Sequence, residues 1–110
     1  MTLMVFKEAT LFTKYLNDYL NDDEYKELQE FLMEQPEAGD VIQGTGGLRK
    51  LRWSSDNKKK GKRGGVRIIY YWKVAEDQIY FFTLYAKNEI TDLTDEDKKK
   101  LKQMLEGWQS

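Results

Sequence analysis

The stretch from residue 66 to residue 86 narrows the choice of fold more than any other part of the chain. Val66–Lys73 (VRIIYYWK) and Ile79–Ala86 (IYFFTLYA) are dense in β-branched and aromatic residues, which predicts two strands. Glu76 and Asp77 supply the turn between them. So short a connection cannot hold a parallel crossover, so the two strands must pair antiparallel. Leu48–Trp53 (LRKLRW) predicts a third strand, and residues 48–86 then read as an antiparallel meander. Strand alternation sends Arg49, Leu51 and Trp53 one way and Leu48, Lys50 and Arg52 the other. The polar segment Ser54–Gly65 (SSDNKKKGKRGG) forms a long hairpin tip.

Helical periodicity flanks this meander. Leu11, Phe12, Tyr15, Leu16, Tyr19 and Leu20 share one face of a helix that Thr10 can cap. Asn21-Asp22-Asp23 breaks the pattern and offers a second cap. Tyr25, Leu28, Phe31 and Leu32 make a second apolar stripe, which Pro36 stops near Gln35. The result is an α-hairpin. Leu3–Lys7 reads as an edge strand ahead of it, and Gly39–Gly47 as a flexible glycine-rich lead-in to the meander. That loop is not a phosphate-binding Walker loop, because no Gly-Lys-Ser/Thr follows. Thr94 caps a C-terminal helix with acids in its first turn and an apolar stripe of Leu101, Met104, Leu105 and Trp108. An N-terminal strand and α-hairpin on a small antiparallel sheet, closed by a helix, is an α+β fold. At 110 residues, with three Trp, seven Tyr and five Phe, residues 1–110 read as a single domain with a real core.

Absences exclude much chemistry. The chain has no cysteine and no histidine. Disulfides, thiol chemistry and the usual neutral-pH acid–base group are therefore out, and most transition-metal sites go with them. No stretch approaches the ~18–20 apolar residues of a membrane span, and the first residues lack the apolar core of a signal peptide. The expectation is a reduced, cytoplasmic protein with no metal, no cofactor and no membrane partner.

The formal net charge of −1 hides a strong pattern. Residues 1–40 carry three basic and ten acidic side chains, residues 41–73 ten basic and one acidic, and residues 74–110 five basic and eight acidic. The basic middle can attract a polyanion although the whole chain is slightly acidic. Within it, Arg49, Lys50, Arg52 and Arg67 sit in strands, whereas Lys58, Lys59, Lys60, Lys62 and Arg63 sit in the hairpin tip. Charges that interrupt apolar strands imply a sheet face left open. With Tyr71 and Tyr85 near them, such cations make a platform that neutralises phosphates and stacks unpaired bases. Attack of a ribose 2′-OH on its phosphate builds up negative charge that fixed cations stabilise. A histidine-free nuclease is thus physically possible, provided something else orients the RNA.

Three phrases carry a resemblance: GTGGLRKLRW at 44–53, RGGVRIIYY at 63–71 and TLYAKNE at 83–89. Together with the element order they resemble the RelE/ParE toxin superfamily, and its HigB-type branch in particular. The resemblance implies a ribosome-dependent endoribonuclease that cuts mRNA in the ribosomal A site and is neutralised by a cognate antitoxin. It implies site roles for Lys50 and Arg52 as alternating basic residues, for Arg67 ahead of an apolar pair, and for Lys87 after the last strand. It departs from RelE where Asn88 replaces an arginine and Thr94 stands at the position of a catalytic tyrosine. Tyr85 is the substitute that the strand offers. Two other readings share the pattern: a ParE-type toxin that inhibits gyrase without cleaving RNA, and a non-catalytic RNA-binding module.

Overall fold

Val66–Lys73 (β4) and Gln78–Ala86 (β5) form the antiparallel centre of the sheet. They are joined through a short 3₁₀ turn, Val74–Glu76, and Asp77. Asp77 adopts the left-handed conformation, φ 52°, which aspartate tolerates better than most residues. Arg49–Trp53 (β3) pairs antiparallel with β4, completing the expected meander. Val5–Glu8 (β1) and Asp40–Val41 (β2) add the two edges, giving the order β1-β5-β4-β3-β2. The computed structural model describes residues 4–54, 65–89 and 92–109. Leu3 and the hairpin-tip cations Lys58, Lys59, Lys60, Lys62 and Arg63 lie outside the described residues.

The α+β architecture expected from the sequence is present, and the sheet is mixed rather than wholly antiparallel. β1 pairs parallel with β5, Val5 opposite Gln78 through Glu8 opposite Phe81. The intervening α-hairpin acts as the crossover that a parallel pair requires. Its helices are Thr10–Tyr19 (α1) and Asp22–Glu34 (α2). Thr10 does not cap α1; Ala9 occupies the cap position and makes no side-chain bond there. Thr13 instead donates to the Glu8 carboxylate at 2.6 Å, tying the helix start to β1. Asn21 does cap α2, in a reciprocal box with Glu24: Asn21 Oδ1 accepts from the Glu24 amide at 2.8 Å, and the Asn21 amide donates to Glu24 Oε1 at 2.9 Å. Thr94 and Asp97 make the same exchange at the start of Asp95–Gln109 (α3). The backbone and side-chain hydrogen bonds to Thr94 hold the Asp97 carboxyl below its usual range.

Two apolar layers result, one on each sheet face. Phe12, Leu20, Leu28 and Leu32 of the hairpin pack on Leu51, Ile68, Tyr70, Ile79, Phe81 and Leu84. Leu101, Leu105 and Trp108 of α3 pack on Leu48, Ile69, Tyr80, Phe82 and Tyr85. The division passes between two adjacent residues. Phe81 stacks on Phe12 with centroids 4.7 Å apart, while Phe82 meets Trp108 edge-on at 5.0 Å. Opposite them the register runs Tyr70–Phe81 and then Ile69–Thr83, so Phe82 is an extra residue, a β-bulge.

The glycine-rich segment is ordered rather than a loose tether. It contains β2, and Thr45, fully buried, donates to the Ile42 carbonyl at 2.6 Å and accepts from the Leu48 amide at 3.2 Å. Tyr70 pins its start, accepting from the Gly39 amide at 2.9 Å and donating to the Pro36 carbonyl at 2.8 Å.

Burial raises the phenol pKa of Tyr70. Burial first, and then the hydrogen bond to Glu8, raises that of Tyr25. A phenol held above the ordinary value of 10.0 favours the folded state fully below that pH, and the unfolded chain ionises first above it. Stability should therefore hold steady from pH 7 to pH 9 and fall as pH climbs past about 10. Thermal midpoints taken across that range test this; a curve that stays flat above pH 10 refutes it. Tyr25→Phe should make the fall shallower while costing about 1 kcal/mol at pH 7.

Candidate functional site

Strand pairing lines up three polar side chains. Arg52 of β3 lies directly opposite Arg67 of β4, and Arg67 lies directly opposite Tyr85 of β5. Residues so paired share a sheet face with Cβ atoms about 5 Å apart. Lys50 is two residues from Arg52, on the same face and opposite Ile69. Like charges directly opposite one another repel across a sheet, so the Arg52–Arg67 pair by itself opposes the pairing of β3 with β4.

Burial differs along the row. Arg52 is exposed and Lys50 half-buried, whereas Arg67 is only 8% exposed and Tyr85 is buried. α3 covers the β4–β5 part of this face through Leu101 and Leu105, so the face is open only towards β3. An arginine sunk at the margin of an apolar layer is held in place by its surroundings, which suits a fixed electrostatic clamp better than a mobile one. Burial raises the Tyr85 hydroxyl pKa, and the Arg67 charge beside it offsets only part of that rise. Burial thus favours the protonated Tyr85 phenol, a group able to donate a hydrogen bond.

The remaining predicted residues scatter. Lys87 follows β5 directly, and its amide faces the Gly65 carbonyl at 3.4 Å, so it stands beside the start of β4. Arg49 turns to the opposite face and donates to the carbonyls of Glu37 at 3.2 Å and Gly39 at 2.8 Å, where it braces the loop before β2. Tyr71 shares the Arg67 face but lies four residues farther along β4, against Tyr80 with centroids 6.4 Å apart. Thr94 is occupied as the α3 cap. The sequence reading missed Gly65. An added Cβ there would meet the Trp53 carbonyl oxygen at 2.5 Å, and φ is +75°, so only glycine fits between the β3 end and Lys87.

A groove of about 620 Å³ lies on the far side of Tyr85, between α1 and α3. Its lining includes Leu11, Tyr15, Leu93 and Met104 with Glu89 and Asp97, and among the described residues Lys100 is its one cation. The strand cations thus lie outside it, Arg52 and Lys50 on an open strip and Arg67 sunk at its margin. A strip of this kind fits a polyanion laid across the surface rather than an enclosed small molecule. Among the described residues no group of three or more carboxylates is arranged to hold a metal ion, and no helix is long and apolar enough to cross a membrane.

A family model described as the RelE toxin of the RelE/RelB toxin–antitoxin system matches residues 4–110. The chain belongs to the RelE toxin family. It is accordingly a toxin of a toxin–antitoxin system. Among solved structures, this RelE chain is similar to the crystal structure of the intact E. coli RelBE toxin–antitoxin complex, with a TM-score of 0.54 and 15% identity over 74% of this chain and 94% of that chain. At that identity the likeness shows the fold. Both sheet faces, the α-hairpin and α3 belong to the RelE match, which takes in nearly the whole chain.

Gly65 generates a prediction for this RelE toxin. Gly65→Ala should cost about 2 kcal/mol or more, since a left-handed backbone and a backbone clash both oppose the new methyl group. Urea unfolding monitored by tryptophan fluorescence measures it, and an unchanged midpoint would refute the assigned constraint.

Proposed function

We propose that this RelE toxin is a ribosome-dependent endoribonuclease that cleaves mRNA in the ribosomal A site, and that it belongs to the HigB-type branch. The observation that carries the reading is the Arg52–Arg67–Tyr85 row, two guanidiniums and a protonated phenol set directly opposite one another on three adjacent strands. The HigB-type placement is supported by GTGGLRKLRW, RGGVRIIYY and TLYAKNE at 44–53, 63–71 and 83–89.

In the proposed reaction the 2′-oxygen of one nucleotide attacks the adjacent phosphorus and the bond to the 5′-oxygen breaks. The 2′-hydroxyl gives up a proton and the departing 5′-oxygen gains one. The phosphoryl oxygens carry most of the charge on the way. Arg67 presents a fixed fork to two of them. The Tyr85 hydroxyl donates a hydrogen bond to one of the same two oxygens. Lys50 and Arg52 hold the flanking phosphates, and Lys87 approaches from the end of β5. An open strip immobilises RNA poorly by itself, so the ribosome supplies the orientation that makes attack efficient. Arg49, Tyr71 and the hairpin-tip cations Lys58, Lys59, Lys60, Lys62 and Arg63 extend the RNA contact in this proposal. The partners are then the ribosome with its mRNA, and a cognate antitoxin that neutralises the toxin, in the cytoplasm.

Arg67→Ala should lower the cleavage rate by about 30- to 1000-fold, the effect of losing ~2–4 kcal/mol of transition-state stabilisation. Arg67→Lys should also be poor, because an ammonium cannot replace a two-pronged donor. Purified ribosomes with a defined mRNA, read by primer extension alongside growth on induction, measure both. Wild-type cleavage by Arg67→Ala would sink the site assignment, and growth arrest by the wild type without any cleavage would favour gyrase inhibition.

Tyr85→Phe should slow cleavage about 10-fold, as a single lost hydrogen-bond donor would. The pH–rate profile between pH 6 and 9 should keep its shape, because the raised phenol pKa keeps Tyr85 neutral throughout. Disappearance of a limb of that profile would show that Tyr85 titrates in catalysis and overturn its donor role.

A further inference from the structure

Lys87 leaves the sheet on a turn that one backbone hydrogen bond closes, from the Glu89 amide to the Ala86 carbonyl at 3.0 Å. The Lys87 amide lies 3.4 Å from the Gly65 carbonyl, near the limit of a useful hydrogen bond. The Glu89 side chain then folds back over the same turn. Its Oε1 accepts from the Ala86 amide at 3.2 Å and from the Tyr19 hydroxyl at 2.7 Å.

Tyr19 is the last residue of α1, is 8% exposed, and lies 70 positions away in sequence. A helix seated in the hairpin core is thereby connected to the carboxylate that closes the Lys87 turn. The bond is of the strong kind, phenol to carboxylate, and burial followed by the bond itself keeps the Tyr19 proton in place. Charge is a second observation. A bare anion two residues from Lys87 would compete with phosphate for that lysine. Two donors hold the same Glu89 oxygen and direct it into the turn instead.

We infer that Glu89, locked by Tyr19, is a positioning residue that fixes where Lys87 is presented to the scissile phosphate. It touches neither substrate nor reacting atoms and acts through the turn. The inference rests on the proposed role of Lys87 in RNA cleavage, and its test separates the two.

Full-length protein carrying Glu89→Ala, Glu89→Gln, Tyr19→Phe or Lys87→Ala is compared in two measurements. In single-turnover cleavage on ribosomes, Glu89→Ala should lower the rate about 10-fold with little change in the half-saturating ribosome concentration. Tyr19→Phe should lower it by less. Glu89→Gln should keep at least half the rate, because its amide oxygen accepts the same two bonds. In the Lys87→Ala background, Glu89→Ala should cost nothing more, since both changes remove one function. A general loss of stability would instead add to the Lys87→Ala defect, and that result overturns the inference.

The second measurement needs no activity. The ¹⁵N relaxation order parameters of Lys87 and Asn88 should fall in Glu89→Ala and be restored in Glu89→Gln, while those of β4 stay unchanged. Unchanged order parameters in Glu89→Ala overturn the inference whatever the kinetics show. If the wild-type protein cleaves no RNA while the order parameters respond as stated, the cleavage reading fails and the Glu89 lock on the Lys87 turn stands.

Discussion

The arrangement of this toxin turns on Phe82, the residue of β5 that has no opposite number on β4. If residues 81–85 alternated strictly, with no bulge, Phe81, Thr83 and Tyr85 would share one face beneath the α-hairpin. Ordinary alternation sends Phe81 to the hairpin layer and Phe82 to the α3 layer, and the bulge then resets the phase so that Tyr85 emerges beside Arg67. Bulges commonly re-aim side chains next to functional sites, at the cost of a local break in the ladder. Here two fully buried phenylalanine rings offset that break.

Much of this was legible in the order of residues. The β4–β5 hairpin follows from composition and a short connection, and the caps at Asn21 and Thr94 follow from side chains suited to bind free amides. Lys50 and Arg52 share a face because any strand alternates, whatever its neighbours do. The adjacent pairs Ile68-Ile69 and Phe81-Phe82 mark strands buried on both faces, since two large apolar residues in succession need two cores. Other features depend on partners far along the chain. The parallel pairing of β1 with β5 and the bond from Tyr19 to Glu89 join segments that no local pattern connects. The glycine-rich segment looked loose because glycine permits disorder and order alike; Thr45 and Tyr70 decide for order, through bonds that composition does not reveal.

The cations show how a fold can bear an unfavourable arrangement. Arg52 and Arg67 face each other across a ladder between two apolar rungs, Leu51 with Ile68 and Trp53 with Val66. Those rungs hold the register, so the repulsion cannot relax by slippage without turning the whole strand inside out. α3 covers one end of the face and leaves Arg52 open to solvent, where counter-ions screen its charge. A polyanion arriving there meets cations already in position, and the register has borne the cost of ordering them in advance.

The parallel edge has a consequence for synthesis. β1 is translated first but has nothing to pair with until residues 78–81 exist. The Arg52–Arg67–Tyr85 row likewise waits for β5, and α3 follows later still. Contacts this distant in sequence form late, because loop closure must be met before they contribute. A nascent chain therefore holds an α-hairpin and an incomplete sheet until β5 emerges. The topology itself delays the alignment of Arg52, Arg67 and Tyr85 until that strand has been made.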